Sequence, residues 1–228
     1  MTASGSVAAR ACLQIVVLAK APIPGRVKTR LSPPHSPEAA AGLAHAALLD
    51  TLDAVCAAPA CRRYLVLDGN LDGPLPIGID VLHQRGQGLG ERIDCALYDV
   101  FALSAQPTLL IGMDTPQVSA ADLSSAGDRL AAPGADAVLG LAEDGGFWAL
   151  GLRRWIPGLF SGVEMSRSDT GEQQLRRLRE ARLRIALLPS MRDVDTAQDA
   201  SAVAAVAPSG RFAQTLFRLD RHLVVSAP

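Results

Sequence analysis

Four cationic side chains lie close together near the start of the chain, and their number and spacing suit a phosphorylated ligand. They are Lys20, Arg26, Lys28 and Arg30. The stretch 19–31 that holds them follows a β-branched apolar run, and its prolines and glycine exclude a regular helix or strand. A loop rich in guanidinium and ammonium groups after a first strand is a common phosphate site in open α/β sheets. The alternative is a solvated basic loop.

Carboxylates follow two of the predicted strands. Asp114 comes directly after the apolar run 108–111, while Asp193 and Asp195 follow the last predicted strand and point to the same side of an extended segment. The carboxyl ends of strands in a doubly wound sheet meet at one crevice, so Asp114 and Asp195 are predicted to share one Mg²⁺ ion or to hold two. Unpaired carboxylates that close repel unless a cation is supplied. The alternatives are a turn aspartate and helix capping.

Two glycine-rich segments complete the candidate site. Gln84 precedes the segment Gly86–Gly90, whose GxGxG spacing and late position argue against a dinucleotide fingerprint. Such a turn lets a flat base lie against backbone while the amide of Gln84 reads its edge, or it is an ordinary helix entry. The turn 144–148 (Asp-Gly-Gly-Phe-Trp) exposes backbone polar groups beside two aromatic rings. That surface suits a sugar, although a plain hairpin turn has the same sequence.

The elements that position these residues are strands alternating with helices. Ser36 and Ser119 are predicted N-caps, and 170–173 (Thr-Gly-Glu-Gln) is a predicted capping box for a helix at 172–182. The alternation predicts an α/β fold, a three-layer α/β/α sandwich with a mainly parallel sheet. The apolar run 147–152 follows its predecessor after a turn too short for a parallel crossover, so it is predicted to be antiparallel and the sheet mixed.

Composition restricts the function classes. The chain has 228 residues, of which 49% are hydrophobic and 20% charged, which predicts a flexible leader at 1–11 and a single domain at 12–228. A net charge of −1 argues against a nucleic-acid partner. No apolar stretch is judged long enough to span a membrane. The four cysteines lack CxxC spacing, which predicts free thiols in a reducing cytoplasm rather than a zinc site. They are Cys12, Cys56, Cys61 and Cys95.

Five motifs together resemble the DUF2064 family. They are Lys20-Ala-Pro-x-Pro-Gly-Arg-Val-Lys-Thr-Arg-Leu31, Gly88-Leu-Gly-Glu-Arg92, Gly112-x-Asp-Thr-Pro116, Asp144-Gly-Gly-Phe147 and Asp193-Val-Asp-Thr196. The family comprises bacterial proteins classed as candidate glycosyltransferases of the GT-A, nucleotide-diphospho-sugar transferase fold. The resemblance runs from about residue 13 to residue 200 and leaves the tail after about 207 outside it.

The resemblance implies a role for several of these residues. The first loop would hold the nucleotide phosphates, Gln84 and Gly88 would face the base, and Asp114 and Asp195 would ligate Mg²⁺. Met113 stands where many members carry a small residue such as serine, so it either narrows the metal site or packs inward.

The sequence therefore predicts a cytoplasmic, Mg²⁺- or Mn²⁺-dependent transferase that passes a sugar from a nucleotide donor to a small-molecule acceptor, with a homodimer left open. One alternative is a nucleotidyltransferase that joins an NTP to a phosphorylated small molecule and releases pyrophosphate. Another is a non-catalytic nucleotide-binding protein. The predicted catalytic residues are Lys28, Arg30 and Asp114, and the predicted metal ligands are Asp114, Asp193 and Asp195. The predicted nucleotide-binding residues are Ala19, Lys20, Gly25, Arg26, Lys28, Arg30, Gln84, Gly88 and Gly90, and the predicted substrate-binding residues are Asp144, Gly145, Gly146 and Phe147.

Overall fold

The computed structural model describes residues 12–225, so the predicted leader at 1–11 lies outside the described residues. The strands are β1 (Gln14–Lys20), β2 (Arg62–Asp68), β3 (Asp80–His83), β4 (Thr108–Gly112), β5 (Ala137–Ala142), β6 (Phe147–Leu152) and β7 (Ile185–Met191). The helices are α1 (Pro37–Ala57), α2 (Leu89–Leu103), α3 (Ala120–Ala131), α4 (Thr170–Glu180), α5 (Ala197–Val206) and α6 (Arg211–Val225).

The strands form one sheet in the order β3-β2-β1-β4-β6-β5-β7. Strand β6 runs antiparallel to both of its neighbours, β4 and β5, and every other pairing is parallel. The predicted mixed, mainly parallel sheet is confirmed. As a consequence, the carboxyl ends of the parallel strands and the turn between β5 and β6 all lie at one edge of the sheet.

Side chains alternate between the two faces of β1, which gives the sheet a core on each side. Ile15 and Val17 belong to the cluster under α1 and α3, whereas Val16 belongs to the cluster under α2 and α4. All three side chains are fully buried. Apolar burial on both faces is what a mainly parallel sheet requires, and the α/β/α sandwich predicted from the sequence is confirmed.

Helices α5 and α6 add a further cluster on the outer side of α1. Leu43 of α1 packs there with Val203 of α5 and with Phe212 and Leu216 of α6. The carboxylate of Asp50 on α1 accepts hydrogen bonds from the backbone N–H groups of residues 211 and 212, at 2.9 and 2.8 Å. An anion at these first N–H groups satisfies donors that have no partner within α6. The end of the described chain is thereby fastened to α1.

Helix α1 corrects the prediction about membrane-length segments. Its 21 residues have a window of mean hydropathy 1.3, so by length and composition alone this helix could cross a membrane. However, 56% of that window is buried inside the protein. Leu48 and Leu52 pack against the sheet while Leu43 packs against α5 and α6. These contacts are those of a core helix that is covered on two sides.

The cysteine prediction is wrong for one pair. Cys12 and Cys61 form a disulfide, whereas Cys56 and Cys95 are free. Strands β1 and β2 are parallel neighbours in which Gln14 lies opposite Arg62, so the residues before them come together and the Cα atoms of the pair are 5.5 Å apart. The strand register that causes this is not visible in cysteine spacing. The argument from free thiols to a reducing cytoplasm does not hold for this pair.

The predicted helix starts are correct at two positions and wrong at a third. Ser36 accepts a hydrogen bond from the backbone N–H of residue 39, and Ser119 forms a capping box at the start of α3. At α4, the N-cap is Asp169, without a side-chain cap. The hydroxyl of Thr170 instead accepts from Arg167 N (3.0 Å) and donates to the carbonyl oxygen of Glu164 (2.8 Å). It therefore fastens the segment before α4 rather than capping the helix.

Candidate functional site

A cleft of about 910 Å³ opens at the edge of the sheet where the parallel strands end. Most of the predicted site residues line it. They are Ala19, Lys20, Arg26, Lys28, Arg30, Gln84, Gly88, Asp114, Asp144, Gly146, Phe147, Asp193 and Asp195. The predicted residues Gly25, Gly90 and Gly145 are not part of this lining. The expectation that distant strand ends meet at one cleft therefore agrees with the geometry.

The first loop leaves β1 at Lys20 and alternates buried anchors with exposed cations. Val27 is buried in the cluster under α1 and α3, and Leu31 in the cluster that α1 forms with α5 and α6, so the loop is anchored at both positions. Arg26 and Arg30 are exposed between and beside these anchors. Because the loop is fixed at its apolar positions, the guanidinium groups of Arg26 and Arg30 stay at the cleft.

Lys28 differs from the other cations because its side chain is only 9% exposed. Its Nζ lies 2.6 Å from Asp114 Oδ1 and 3.6 Å from Asp195 Oδ1, and it donates a hydrogen bond to the carbonyl oxygen of Val194. Burial by itself lowers the pKa of Lys28, but the charge and hydrogen bond of Asp114, with Asp195 and Asp193, raise the pKa above its ordinary value. The ammonium is therefore charged and enclosed by acceptors.

The segment after β7 crosses the edge of the sheet to reach the end of β4. Strand β7 is separated from β4 by two other strands, yet Val194 N donates to Asp114 O at 2.8 Å and Gln117 Nε2 donates to Arg192 O at 2.5 Å. Val194 is fully buried. These backbone contacts bring Asp193 and Asp195 to the side of the cleft that holds Asp114.

Three carboxylates form an acidic cluster, defined here as Asp144, Asp193 and Asp195. One oxygen of each lies within 4.8 Å of the others. Burial, and then the charges of Asp144 and Asp195, raise the pKa of Asp193 to about 6. Arg30 Nη1 lies 3.2 Å from Asp195 Oδ2. Asp144, predicted to bind substrate, thus lies with the predicted metal ligands, whereas Asp114 is paired with Lys28.

The backbone of the turn at 144–147 is less available than the sequence suggested. Gly145 N and Gly146 O are bonded to residue 142, Gly146 N to the Asp144 side chain, and Gly145 O to the N–H of Gly171. Gly145 has a φ of 92°, and a Cβ on it would lie 1.8 Å from the carbonyl oxygen of Ser168. The turn is therefore packed tightly against the segment before α4. What it presents to the cleft is the Asp144 carboxylate and the Phe147 ring.

Gln84 is also held by the protein rather than left free for a base. Its Nε2 donates to Ala19 O at 2.7 Å and to Val66 O at 3.1 Å. Arg92 Nη1 lies 2.6 Å from Asp68 Oδ2 and 3.4 Å from Gln84 Oε1. Arg92 and Asp68 both line the cleft and are functional candidates that no motif role predicted. Their positions could have indicated the site, because Asp68 is the last residue of β2 and Arg92 lies in the first turn of α2.

The segment 164–169 forms part of the wall of the cleft. Its residues Met165, Ser166, Arg167 and Ser168 line the cleft. A Cβ placed on Gly90 would lie 3.4 Å from the Met165 methyl, so the start of α2 lies close to this segment. Met113 packs inward in the core, and its sulfur accepts a hydrogen bond from the backbone N–H of Lys20 at 3.4 Å.

Several solved structures share this fold. The candidate nucleotide-diphospho-sugar transferase of Desulfovibrio desulfuricans G20 matches with a TM-score of 0.82 at 26% identity, over 92% of this chain and 95% of that chain. Rv0371c of Mycobacterium tuberculosis H37Rv matches with a TM-score of 0.53 at 22% identity, over 86% of this chain and 100% of that chain. The 2-C-methyl-D-erythritol 4-phosphate cytidylyltransferase of Thermus thermophilus matches with a TM-score of 0.51 at 15% identity, over 88% of this chain and 100% of that chain. The predicted nucleotide-diphospho-sugar transferase fold is confirmed.

No functionally curated protein matches the sequence. The profile of a family described as uncharacterized proteins conserved in bacteria, DUF2064, matches residues 51–167, which is more than half of the 228 residues. That match agrees with the resemblance carried by the loop and cleft motifs. The chain belongs to the DUF2064 family.

Proposed function

We propose that this protein is a transferase that takes a group from a nucleotide-activated donor with the help of a divalent metal ion. One observation carries the proposal. Cations from the first loop and carboxylates from the β5–β6 turn and the segment after β7 line the same cleft. Transfer from a nucleotide donor needs charge neutralisation and alignment at its phosphates, and preorganised cations supply both.

The donor phosphates lie along the first loop in this proposal. Lys20 and Arg26 are exposed and line the cleft, so their charged groups are available to phosphate oxygens, while the exposed Arg30 already contacts Asp195 through Nη1. The base lies toward the start of α2, where Gly88 leaves backbone accessible and Arg92 lines the wall. Guanidinium groups bind phosphate with two parallel hydrogen bonds, which fixes orientation as well as charge.

The acidic cluster fits a Mg²⁺ or Mn²⁺ ion by the chemistry of its donors. Carboxylate oxygens are the hard ligands that these ions prefer, and the three side chains bring one oxygen each within 4.8 Å of the others. When bound, the ion supplies positive charge against the donor phosphate oxygens. Asp144, Asp193 and Asp195 hold it, and Arg30 orients Asp195.

The small-molecule acceptor enters between the turn at 144–147 and the segment 164–169. In the sugar-transfer form, an acceptor hydroxyl attacks the anomeric carbon and the nucleoside diphosphate leaves on the first-loop cations. The similar protein of Desulfovibrio desulfuricans is described as a candidate nucleotide-diphospho-sugar transferase, which favours this form. The Phe147 ring and the Asp144 carboxylate offer the apolar face and the acceptor oxygens that a sugar ring needs.

Nucleotidyl transfer is a second candidate, favoured by the density of charge in the first loop. Lys20, Arg26 and Arg30 line the cleft together with the buried Lys28, more cations than a diphosphate needs. In this form, the phosphate of the acceptor attacks the α-phosphate of an NTP and pyrophosphate leaves. Both forms require the same positioned cations, so the product distinguishes them.

The test is to incubate the protein with each NTP and with a panel of nucleotide sugars, in the presence of Mg²⁺ and of candidate acceptors. Release of a nucleoside diphosphate supports sugar transfer, and release of pyrophosphate supports nucleotidyl transfer. Asp193→Asn should abolish either product, whereas Asp128→Asn, an exposed carboxylate on α3, should leave the rate unchanged. Nucleotide binding without either product would instead indicate a non-catalytic nucleotide-binding protein.

A further inference from the structure

We propose that Lys28 is a built-in cation that keeps a divalent ion away from Asp114, so that the site takes one ion and takes it at the acidic cluster. The proposal rests on the proposed function for the presence of an ion. It assigns Lys28 and Asp114 a positioning role and moves the ion to Asp144, Asp193 and Asp195.

The Lys28 ammonium lies where an ion shared by Asp114 and Asp195 would have to lie. Nζ is 2.6 Å from Asp114 Oδ1 and 3.6 Å from Asp195 Oδ1. Nζ also donates a hydrogen bond to the carbonyl oxygen of Val194. Asp114 and Val194 thus accept hydrogen bonds from the ammonium, and Asp195 adds a nearby negative charge. A divalent ion cannot share that position, because its own oxygen ligands would stand at about 2.0–2.6 Å.

The surroundings of Lys28 keep its side chain in this position. It is 9% exposed, and its immediate neighbour Val27 and its hydrogen-bond partner Val194 are both buried. Moving the ammonium out would leave the Val194 carbonyl oxygen without this donor and Asp114 without this counterion. The Lys28 side chain is nine-tenths buried whereas that of Asp114 is 49% exposed, so the lysine is the enclosed partner of this pair. Lys28 is therefore a fixed cation rather than one that yields to an incoming ion.

The remaining charge of the site calls for one divalent ion. Asp114 and the acidic cluster supply four carboxylates, while Lys28 and Arg30 supply two cations in contact with them. The formal excess is two negative charges, which one Mg²⁺ or Mn²⁺ ion neutralises. The cluster offers three carboxylates to that ion, and Asp114 has already been matched by Lys28. In this arrangement the third ligand is Asp144 from the β5–β6 turn, and Asp114 is not a ligand.

The test measures metal binding alone, by calorimetric titration of the protein with MnCl₂ in the absence of nucleotide. We expect wild type to bind one ion. Asp144→Asn removes a direct ligand and should weaken that binding by more than about 100-fold, whereas its matched partner Asp114→Asn removes only an outer partner and should weaken it by about tenfold. Lys28→Met, which keeps the apolar stem and removes the charge, should bind a second ion.

Other outcomes overturn the proposal. Two ions in wild type, or equal losses in Asp144→Asn and Asp114→Asn, would mean that the ion displaces Lys28. If Lys28→Met does not fold, as judged by its melting curve, the Asp144 and Asp114 variants still decide between the two arrangements. The proposed function fails separately: one ion bound at the cluster with no turnover of any donor would leave this proposal standing and remove the transferase.

Discussion

Arg26 and Lys28 lie two residues apart in one loop, yet their charges act in different ways. Arg26 is exposed on the wall of the cleft, whereas the Lys28 side chain is 9% exposed and its ammonium is bound by Asp114. The residue between them, Val27, is buried and sets both orientations. An exposed guanidinium can turn toward an anionic ligand, whereas an enclosed ammonium neutralises part of the negative charge of the carboxylates beside it. Phosphate binding should therefore depend directly on Arg26.

Replacing Arg26 by glutamine tests that assignment. We expect Arg26→Gln to weaken nucleoside triphosphate binding by about tenfold, the worth of a hydrogen bond to a charged group, and to change nucleoside binding little. The loss should shrink at high salt because the site is exposed. Calorimetry with both ligands measures it, and Arg179→Gln on the exposed face of α4 is the matched control. Equal triphosphate affinity in wild type and Arg26→Gln would remove this residue from the phosphate site.

The segment 164–169 depends on glycines in the elements next to it. Gly145 in the β5–β6 turn lets the carbonyl oxygen of Ser168 approach, and its own carbonyl oxygen accepts from Gly171 N at 2.7 Å. Thr170 fastens the same segment from the start of α4 through its contacts with Glu164 and Arg167. The wall of the cleft is thus held by two neighbouring elements, in addition to the ion pairs that Arg167 makes with Glu164 and Asp169 inside the segment.

Adding a methyl group at Gly145 should disturb this wall. We expect Gly145→Ala to lower the melting temperature and to weaken donor binding, because the new Cβ would lie 1.8 Å from the Ser168 carbonyl oxygen. Gly162→Ala is the matched control, since Gly162 also has a positive φ of 76° but has no atom within 4 Å of the added Cβ. Both variants carry backbone strain of about 1 kcal/mol, so the difference between their melting curves reports the clash. Indistinguishable melting temperatures would contradict the close packing.

Much of the site could be predicted from the sequence because parallel strands place their carboxyl ends at one edge of the sheet. That rule alone brings the first loop, Asp114 and the Asp193–Asp195 segment to one cleft. It does not predict that Lys28 and Asp114 pair, because the pairing depends on how deeply Val27 draws the loop inward. The partners of Gln84 are backbone carbonyl groups of β1 and β2, which no side-chain pattern records. The disulfide was missed for a similar reason, since it depends on strand register.

The whole molecule extends beyond the sandwich. Helices α5 and α6 cover the outer side of α1, and the buried Phe212 and Leu216 join α6 to that cluster. The sequence resemblance ended at about residue 200, and the family profile ends at 167. We propose that α6 nevertheless belongs to the same cooperative unit as the sheet, so that residues 12–225 unfold together.

Two phenylalanines on α6 allow a matched test of that proposal. Phe212 is 3% exposed and Phe217 is 45% exposed. We expect Phe212→Ala to lower the free energy of unfolding by about 3–5 kcal/mol, because a large buried side chain is removed from the core. Phe217→Ala should change it by less than about 0.5 kcal/mol. Urea unfolding curves measure both, and a small effect for Phe212→Ala would indicate that α6 unfolds separately from the sheet.

The backbone bond between Val194 and Asp114 has a consequence for how ligands enter. It joins the segment after the edge strand β7 to the segment after the central strand β4, although β5 and β6 lie between these two strands. This bond holds the carboxyl ends of β4 and β7 in fixed positions relative to each other at the cleft. A donor and an acceptor that enter the cleft therefore meet carboxylates that folding has already put in place.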